Sequence, residues 1–491
     1  MKNLQPNMKP DTTQIMNSQL VLPGQFEPAD HWYAKALNAT IHPMIAFFLH
    51  LDEDRIIKRY CHLHPKVKAD TLRSLLSYKP KHFIWAGADL MHVTNEEGNR
   101  QMVVIENNSC PSGQKSMPLL DDNQEQGGYR LLMERTIKPQ IKARKRIQGQ
   151  LAVIYDKNPM ETLGYARAMA DAFDEKVHYV SCYQDDPDPP IRFKDGILFV
   201  MGADGEWHQI RAAFRYLTQR PWARLPIHTR TPVFNPIIAC LAGGRNKMLA
   251  SKAYDLFNAE LAQSGLEILT PETIWDVSKE EIPLWVRKMG GQAVVKNPYS
   301  NAGQGVYTIV NEQELEAFMA LGFHYERFIV QSLIGNYNWS STSSRGKLYH
   351  IGTVPSSKGN TYVADLRMMV SATEEGIRPL CVYARRASHP LTDHIEEGAN
   401  SWEMLGTNLS IKEDGNSWGS DTNRLMLVDR RDFNKLGLGL DDLVDAYIQT
   451  VLSMVAIDKM AEMLFNTKNR FRARLFRSLD DDNALIDEII M

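Results

Sequence analysis

Two short segments, far apart in the chain, constrain the fold of this sequence most. The segment 103–113 is an apolar run that continues through Glu106 and Asn108 into Pro-Ser-Gly. The segment 294–306 is an apolar run that ends in Lys296 and continues as a loop rich in Gly and Asn. Glycines let backbone N–H groups approach an anion such as a phosphate, and paired carboxylate and amide oxygens suit Mg²⁺. The two segments together predict a nucleotide site.

The same segments resemble the motifs of a known superfamily. The loop after Lys296 resembles the glycine-rich phosphate loop of ATP-grasp enzymes, and 106–108 with 111–113 resembles their Glu-x-Asn metal motif. In most of that superfamily the metal motif comes last in the chain, whereas here it comes first. This order resembles the circularly permuted ATP-grasp group, which includes eukaryotic glutathione synthetases. The resemblance covers about residues 80 to 460 and implies an α/β (α+β) ATP-grasp fold, circularly permuted, with a Rossmann-like domain before the nucleotide-binding core.

The periodicity of the sequence divides the chain into four stretches. Strand patterns alternate with helix patterns over 149–240, which favours a small parallel α/β layer, and no GxGxxG motif follows its first strand. Beyond Lys468 the charged, alternating pattern predicts a peripheral tail or a capping helix. The predicted units are a flexible N-terminus (1–25), a helical segment plus the permuted hairpin with the metal motif (26–148), the Rossmann-like domain (149–240), and the nucleotide-binding domain with the C-terminal tail (241–491).

A predicted hairpin brings the candidate metal ligands together. Asp89 belongs to one strand, and Glu106 and Asn108 are two residues apart on its partner, so alternation points the latter pair to one face. From the residues alone, a hydrogen-bonded pair of polar strand residues explains this pattern as well. The resemblance implies that Asp89, Glu106 and Asn108 bind one or two Mg²⁺ ions.

The candidate ATP ligands follow from the resemblance. Lys247 opens a predicted helix and corresponds to the first phosphate lysine, while Lys296 precedes the predicted mobile loop over the phosphates. The strand that ends near Gln331 and Ile334 corresponds to the segment that meets the adenine edge. A surface lysine and ordinary turn glycines are the alternatives. The implied ATP ligands are Lys247, Lys296, Asn301, Gly303, Gln304, Gly305, Gln331 and Ile334.

The remaining candidates concern catalysis and the second substrate. Arg367 and Arg385 lie in two successive predicted strands that resemble the Asp-x-Arg and Ala-x-Arg pair of glutathione-synthetase-like members. With Lys296 they are the implied catalytic residues, because cations steady the transferring phosphoryl group. Paired surface arginines are the alternative. The candidate substrate ligands are Ser112, Asn408 and the pair Arg211 and Arg215, whose spacing matches one face of a helix.

Composition excludes several classes of protein. A net charge of −3 leaves no basic surface for nucleic acid, and no apolar run approaches the length of a membrane span. The cysteines show no CxxC spacing, and the N-terminus shows no apolar leader, so we expect a cytoplasmic protein. Neither HExxH nor Gly-x-Ser-x-Gly is present, which argues against a zinc protease or a hydrolase elbow. The sequence does not decide between a monomer and a homodimer.

The resemblance therefore implies an ATP- and Mg²⁺-dependent ligase that joins a small-molecule or peptide carboxylate to an amine through an acyl phosphate, releasing ADP and phosphate. A phosphotransferase with the same fold and a catalytically idle ATP-binding scaffold are the alternatives. The sequence names neither the acid nor the acceptor.

Overall fold

A computed structural model describes residues 18–121, 123–144, 147–184, 186–300, 303, 305–395, 400–412 and 418–490. The strands, in chain order, are β1 (Ser18–Val21), β2 (Trp85–Asn95), β3 (Arg100–Asn108), β4 (Gln150–Tyr155), β5 (Val177–Ser181), β6 (Ile191–Lys194), β7 (Ile197–Met201), β8 (Trp207–Tyr216), β9 (Val233–Phe234), β10 (Thr273–Ser278), β11 (Ala293–Lys296), β12 (Val306–Ile309), β13 (Arg327–Ser332), β14 (Leu348–His350), β15 (Ala364–Thr373), β16 (Gly376–Arg386), β17 (Ser410–Lys412), β18 (Trp418–Ser420) and β19 (Leu425–Met426).

The helices complete a mixed α and β architecture. They are α1 (Ala34–Leu37), α2 (Pro43–Leu49), α3 (Glu53–Leu63), α4 (Ala69–Leu76), α5 (Gly127–Leu132), α6 (Lys138–Lys142), α7 (Pro159–Phe173), α8 (Ile237–Ala239), α9 (Lys247–Leu261), α10 (Ile282–Lys288), α11 (Glu312–Met319), α12 (Ser401–Leu405), α13 (Leu440–Met463), α14 (Ala473–Leu479) and α15 (Asn483–Ile490). In the described part of the chain, no helix combines the length and the apolar character needed to cross a membrane.

The first sheet has the strand order β1-β5-β4-β8-β7-β6, with β9 beside β8. Its centre is parallel, because β4 pairs in parallel with β5 and with β8, and β8 with β9. Antiparallel strands extend it on both sides. The sheet is therefore mixed, and the predicted parallel layer is its centre.

The second sheet has the order β10-β13-β11-β12 and carries its own small core. Alternate residues of β11 face opposite sides, as the two-residue period of a strand requires. Ala293 and Val295 pack in the core with residues of α10 and α11, whereas Val294 and Lys296 line a cleft on the other face. One buried face thus fixes the direction in which Lys296 points.

The third sheet has the order β14-β2-β15-β16-β19, with β3 also paired to β2. The hairpin β2–β3 and the hairpin β15–β16 are neighbours in this sheet through the antiparallel pairing of β2 with β15. Both predicted strand pairs are confirmed. Their contact brings residues 85–91 next to residues 365–371.

Helix α13 packs behind the third sheet and is buried along most of its length. A helix that is apolar on all sides belongs in a core, and its buried polar groups need partners. Asp458 has them, since its carboxylate accepts hydrogen bonds from the backbone N–H groups of Lys81, His82 and Phe83. This contact fixes the entry of the chain into β2.

The structure corrects one prediction about the termini and decides between the two alternatives of the other. Residues 18–21, placed in a flexible N-terminus, form β1 and pair with β5. Of the peripheral tail and the capping helix predicted beyond Lys468, the structure favours helix: the segment forms α14 and α15, and the side chains of Asp480 and Asp482 are fully buried there. Both segments have short apolar patterns that become ordered only through contacts with distant elements.

Candidate functional site

A cleft separates the second sheet from the third sheet. Its walls include Val294, Val306 and Ile334 on one side and Met91 and Ile105 on the other, around a cavity of about 110 Å³. We call this the intersheet cleft. Lys296, Gln331, Glu106, Asp89 and Arg385 also line it, so one end is apolar and the other is charged.

A row of charged residues crosses the third sheet at the charged end. Glu106 of β3 is the cross-strand partner of Asp89 in β2, and Asp89 is the partner of Arg367 in β15. A register shift follows Asp89, after which Leu90 pairs with Val104. Side chains directly opposite one another in neighbouring strands interact, so the strand register places these three side chains next to one another.

Asp89 forms ion pairs with both predicted catalytic arginines. Arg367 donates to its carboxylate from Nε at 2.5 Å and from Nη2 at 2.6 Å, and Arg385 lies 2.9 Å from the second oxygen. Arg385 also donates to Asp365 from Nε at 3.0 Å. Burial alone would raise the pKa of Asp89, but the two arginines hold it well below the ordinary value. The Asp89 carboxylate, predicted to ligate a metal, is thus engaged by two guanidinium groups.

Glu106 and Asn108 project together, as the strand period predicts. The Asn108 side-chain amide donates to Glu106 Oε1 at 3.4 Å, and Glu106 Oε2 lies 3.5 Å from Lys247 Nζ. Within the ranges the structure describes, no group of three or more His, Cys, Asp or Glu side chains is arranged to hold a metal. The oxygen donors of Glu106 and Asn108 nevertheless suit Mg²⁺, which takes one or two protein ligands and completes its shell with water and phosphate.

The two predicted phosphate lysines lie beside the same carboxylate. Burial lowers the pKa of Lys296 to about 8, with Glu106 opposing and Lys247 adding to the shift. Burial likewise lowers the pKa of Lys247. Two buried lysines that share one carboxylate leave an excess of positive charge, which an anion would neutralise. The charged end of the cleft is therefore suited to a phosphate chain.

Helix α9 places Lys247 at this point. Asn246 caps the helix, because its side chain accepts hydrogen bonds from the N–H groups of Met248 and Leu249. Lys247 is therefore the first helical residue, and its Nζ donates to the Ser300 carbonyl at 2.6 Å. This hydrogen bond links the first residue of α9 to the loop after β11.

The loop after β11 requires its glycines. Gly303 and Gly305 have φ values of +76° and +67°, a region that side chains disfavour. A Cβ atom at Gly303 would lie 2.1 Å from Asn408 Nδ2, so this turn packs against a predicted substrate residue. The predicted ligands Asn301 and Gln304 lie outside the described residues.

The predicted adenine segment lines the apolar end. Ile334 belongs to the cleft wall, and Gln331 lies between this wall and Lys296 on β13. Gln331 Nε2 donates to Thr273 Oγ1 at 2.9 Å, which fixes the orientation of its amide. The structure thus places Gln331 and Ile334 on the same cleft as Lys296.

A larger cavity of about 460 Å³ adjoins the cleft, and we call it the basic pocket. Glu106, Arg385 and Asn408 line both cavities. The basic pocket is otherwise lined by the carboxyl end of β4, the turn after β3 and the start of the α9 region; its cationic side chains are Lys115, Lys157, Arg245, Arg367 and Arg385. A substrate there would meet the charged end of the cleft.

Ser112, a predicted substrate residue, lines the basic pocket and is held on several sides. Its hydroxyl donates to Glu161 at 2.5 Å, and its carbonyl accepts from Arg367 Nη1 at 3.2 Å and Tyr383 OH at 3.1 Å. Glu161 is buried at the start of α7 and also accepts from the N–H groups of Gly113 and Gln114. Glu161 therefore fixes the turn that carries Ser112.

The prediction for Arg211 and Arg215 is wrong. They lie on strand β8, not on a helix, since a spacing of four also fits the two-residue period of a strand. Arg211 pairs with Glu175 at 2.7 Å, outside both cavities. Arg215 is fully buried and donates to the carbonyls of Asn235 and Leu217. Both arginines are structural.

Sequence reasoning missed several residues of the basic pocket. Lys157 and Asn158 come just after the carboxyl end of β4. Ligand sites in such sheets usually lie at the carboxyl ends of parallel strands, so the predicted end of this strand could have indicated them. Arg245 comes two residues before Lys247. No local pattern marks Asp480, whose carboxylate joins Asn246 and Tyr299.

No family model matches the sequence, and no curated protein matches it either. Among solved structures, the chain is similar to a RimK domain ATP-grasp protein from Sphaerobacter thermophilus, with 16% identity over 48% of this chain and 90% of that one and a TM-score of 0.28. It is also similar to a glutathione synthetase-like effector from Globodera pallida, with 8% identity over 71% and 86% of the chains and a TM-score of 0.36.

Proposed function

We propose that this protein is an ATP- and Mg²⁺-dependent carboxylate–amine ligase with a circularly permuted ATP-grasp core. The observation that carries the proposal is the junction of two cavities at Glu106, Arg385 and Asn408. One cavity is an apolar cleft that ends in buried lysines, and the other is a larger pocket with cationic walls. A nucleotide and an acid placed in them would meet at the junction.

The intersheet cleft would take ATP. The base would lie between the apolar residues of the two sheets, near Val294 and Ile334, and the phosphates would extend toward Lys296 and Lys247. Two desolvated lysines and the N–H groups of a glycine loop supply the contacts that a polyphosphate needs. Asn301 and Gln304, in the same loop, belong to this proposal on the basis of the sequence.

Glu106 and Asn108 would hold Mg²⁺, which supplies charge neutralisation at the phosphates when it is bound. Both oxygens of Asp89 contact guanidinium groups. Asp89 would therefore have to release one arginine before it could serve as a third metal ligand. Its present role is to hold Arg367 and Arg385 at the junction.

The arginines would position the acid. A substrate carboxylate beside Arg367 and Arg385 attacks the γ-phosphorus of ATP, the bond to the β,γ-bridging oxygen breaks, and ADP leaves. The product is an acyl phosphate. An amine then attacks the acyl carbon, phosphate leaves with the bonding electrons, and the amine loses a proton to water. Phosphoryl transfer of this kind needs positioning and charge neutralisation more than covalent catalysis, which fits the residue set.

Product analysis tests the proposal. Purified protein with ATP and Mg²⁺ is supplied with acids and amines, singly and in pairs, and inorganic phosphate is measured. A ligase releases phosphate fully only when both an acid and an amine are present. A stable phosphorylated acid without phosphate release indicates a phosphotransferase. Tight ATP binding without turnover across the panel indicates a scaffold.

A further inference from the structure

The basic pocket contains more than the arginines that the proposed reaction uses. Lys115, Lys157 and Arg245 line the part of the pocket formed by the carboxyl end of β4 and the segment before α9. None of the three lines the intersheet cleft, although Arg245 also lines a small neighbouring cavity that contains Lys247 and Lys296. Lys115 and Lys157 therefore face a different part of the pocket from the nucleotide, and Arg245 lies between the two parts.

These three cations lack carboxylate partners among the residues that the structure describes. Lys115 is bonded to the side-chain oxygen of Asn158 and lies over the Tyr33 ring at 4.9 Å. Lys157 has neither a hydrogen bond nor an ion pair with a described residue. Arg245 Nε is buried without a hydrogen-bond partner, and its guanidinium lies 5.6 Å from the Trp222 ring centre. Buried cations are normally paired, because desolvation of an unpaired charge is costly.

The acidic groups of the pocket do not supply the missing charge. Asp156 pairs with Arg224 at 2.8 Å and accepts from the N–H groups of Thr218 and Gln219. Glu106 forms an ion pair with Lys247 at the junction. An uncharged ligand at this end would leave the cations unpaired, and a cationic one would be repelled.

The electrostatics agree with this geometry. Burial lowers the pKa of Lys157, which Asp156 opposes and Arg245 and Lys115 increase. Burial lowers the pKa of Arg245 to about 10. Arg245 and Lys115 thus make the charge on Lys157 costlier, and an anion bound among the three would relieve that cost.

We infer that the substrate acid carries a second anionic group, a carboxylate or a phosphate ester, which binds among Lys115, Lys157 and Arg245. The reacting carboxylate lies at the other end, beside Arg367 and Arg385; the assignment of that end depends on the proposed function. The substrate class is therefore a dianionic acid, and simple aliphatic acids and polyamines are excluded as ligands of this pocket.

Calorimetric titration tests this inference on the full chain in the presence of ADP and Mg²⁺. The probes are the dicarboxylates from succinate to pimelate against monocarboxylates of equal length, and 3-phosphoglycerate against glycerate. We expect one dianion to bind at least about ten-fold more tightly than its monoanion, the gain expected from one charge-assisted contact. The dicarboxylate series tests for a second carboxylate, and the comparison of 3-phosphoglycerate with glycerate tests for a phosphate ester.

The variant Lys157→Met keeps the apolar stem and removes the charge, so the preference for the dianion should fall to less than about two-fold, since one charge-assisted contact is lost. Lys194→Met is the matched control, because Lys194 is an exposed lysine at the end of β6, outside the pocket. Thermal unfolding of both variants confirms that they fold. A wild type with no preference for any dianion, or a Lys157→Met protein that retains the preference, overturns the inference.

Binding of ADP is measured separately in the same samples. Absence of ADP binding would contradict the proposed function and leave the preference for dianions as an independent result. ADP binding without any preference for dianions would overturn only the substrate class.

Discussion

Glu106 Oε2 and Lys247 Nζ lie 3.5 Å apart, although one residue belongs to an early hairpin and the other to the start of helix α9. The hairpin reaches this position because β2 pairs with β15, a strand that comes much later in the chain. The geometry at the charged end of the cleft thus does not depend on the order of the motifs in the sequence. This is the arrangement that the proposed permuted order of phosphate and metal motifs requires.

The variant Glu106→Gln should abolish ATP turnover while the fold survives. The change keeps the shape of a partly exposed side chain and removes the charge that faces both lysines and the proposed Mg²⁺. Loss of one preorganised charged contact typically lowers a rate by about 10²- to 10³-fold. Phosphate release measures the effect, and Glu97→Gln, in the exposed turn of the same hairpin, is the control. Wild-type turnover in Glu106→Gln would assign the carboxylate to structure alone.

Lys296 should make ATP binding depend on pH. In the free protein its pKa is about 8, below the ordinary value, so the lysine loses its charge as the pH rises through that value. Phosphate oxygens favour the charged form and raise its pKa. Binding above pH 8 therefore takes up protons, and ATP affinity falls as the pH rises further.

Calorimetry in buffers with different ionisation enthalpies measures this proton uptake. Lys296→Met should remove it and weaken ATP binding, and phosphate release should fall further than affinity because charge develops on the transferring group. Lys288→Met, an exposed lysine at the end of α10, should behave as wild type. Equal losses of affinity and turnover would mean that Lys296 only holds the nucleotide.

The sequence predicted those parts of the site that depend on strand alternation. Strand alternation placed Glu106 and Asn108 on one face, and the structure has their side chains in contact. For β11 the sequence predicted only an apolar strand that ends in Lys296, and the buried core face of this strand is what turns Val294 and Lys296 into the cleft. Local periodicity suffices where one face of a strand is buried.

Other parts of the structure depend on contacts that no local pattern contains. A spacing of four residues suits a helix and also a strand, so Arg211 and Arg215 were assigned to the wrong element. The ion pairs that engage Asp89 depend on the register between two hairpins that are far apart in sequence. The role of Asp480 depends on a hydrogen bond across 234 positions.

Arg215 should be needed for stability. It is fully buried, and its guanidinium satisfies the carbonyls of Asn235 and Leu217 and the hydroxyl of Ser109. Arg215→Met removes the donor of the Asn235 carbonyl and leaves the Leu217 carbonyl and the Ser109 hydroxyl with only the thiols of Cys110 and Cys240, at a cost of about 2–4 kcal/mol in the free energy of unfolding. Chemical denaturation measures the loss. Arg211→Met, which removes a half-exposed ion pair with Glu175 and an exposed hydrogen bond to the Gly149 carbonyl, should cost less than about 1 kcal/mol.

The variant Gly303→Ala should impair ATP turnover through the loop rather than through global stability. The new methyl group would meet Asn408 Nδ2 at 2.1 Å, and the positive φ adds about 1–2 kcal/mol of strain. Gly359→Ala is a matched control, because Gly359 has a φ of +77° and no atom lies within 4 Å of its added Cβ. Equal phosphate release by the two variants would show that backbone strain, and not the contact with Asn408, explains the effect.

Asp480 should couple the C-terminal helices to the phosphate site. One carboxylate oxygen accepts from Asn246, the cap of α9, and the other accepts from Tyr299 OH, each at 2.7 Å. Asp480→Asn presents an amide N–H to one of these donors, so it should lower the melting temperature and weaken ATP binding together. Asp481→Asn, whose half-exposed side chain pairs with Arg327, should change neither by much.

The pH dependence of this effect has a definite sign. Burial raises the pKa of Asp480 from 3.8 to about 6, so the folded protein binds more protons than the unfolded chain between these values. The stability that Asp480 contributes is therefore fully present below pH 3.8 and decreases as the pH rises toward 6. Asparagine does not titrate, so the difference in unfolding free energy between wild type and Asp480→Asn should shrink across this window by on the order of 2 kcal/mol. Denaturant titrations at several pH values measure it, and a difference that grows with rising pH would mean that the carboxylate is stabilised in its charged form by its two donors.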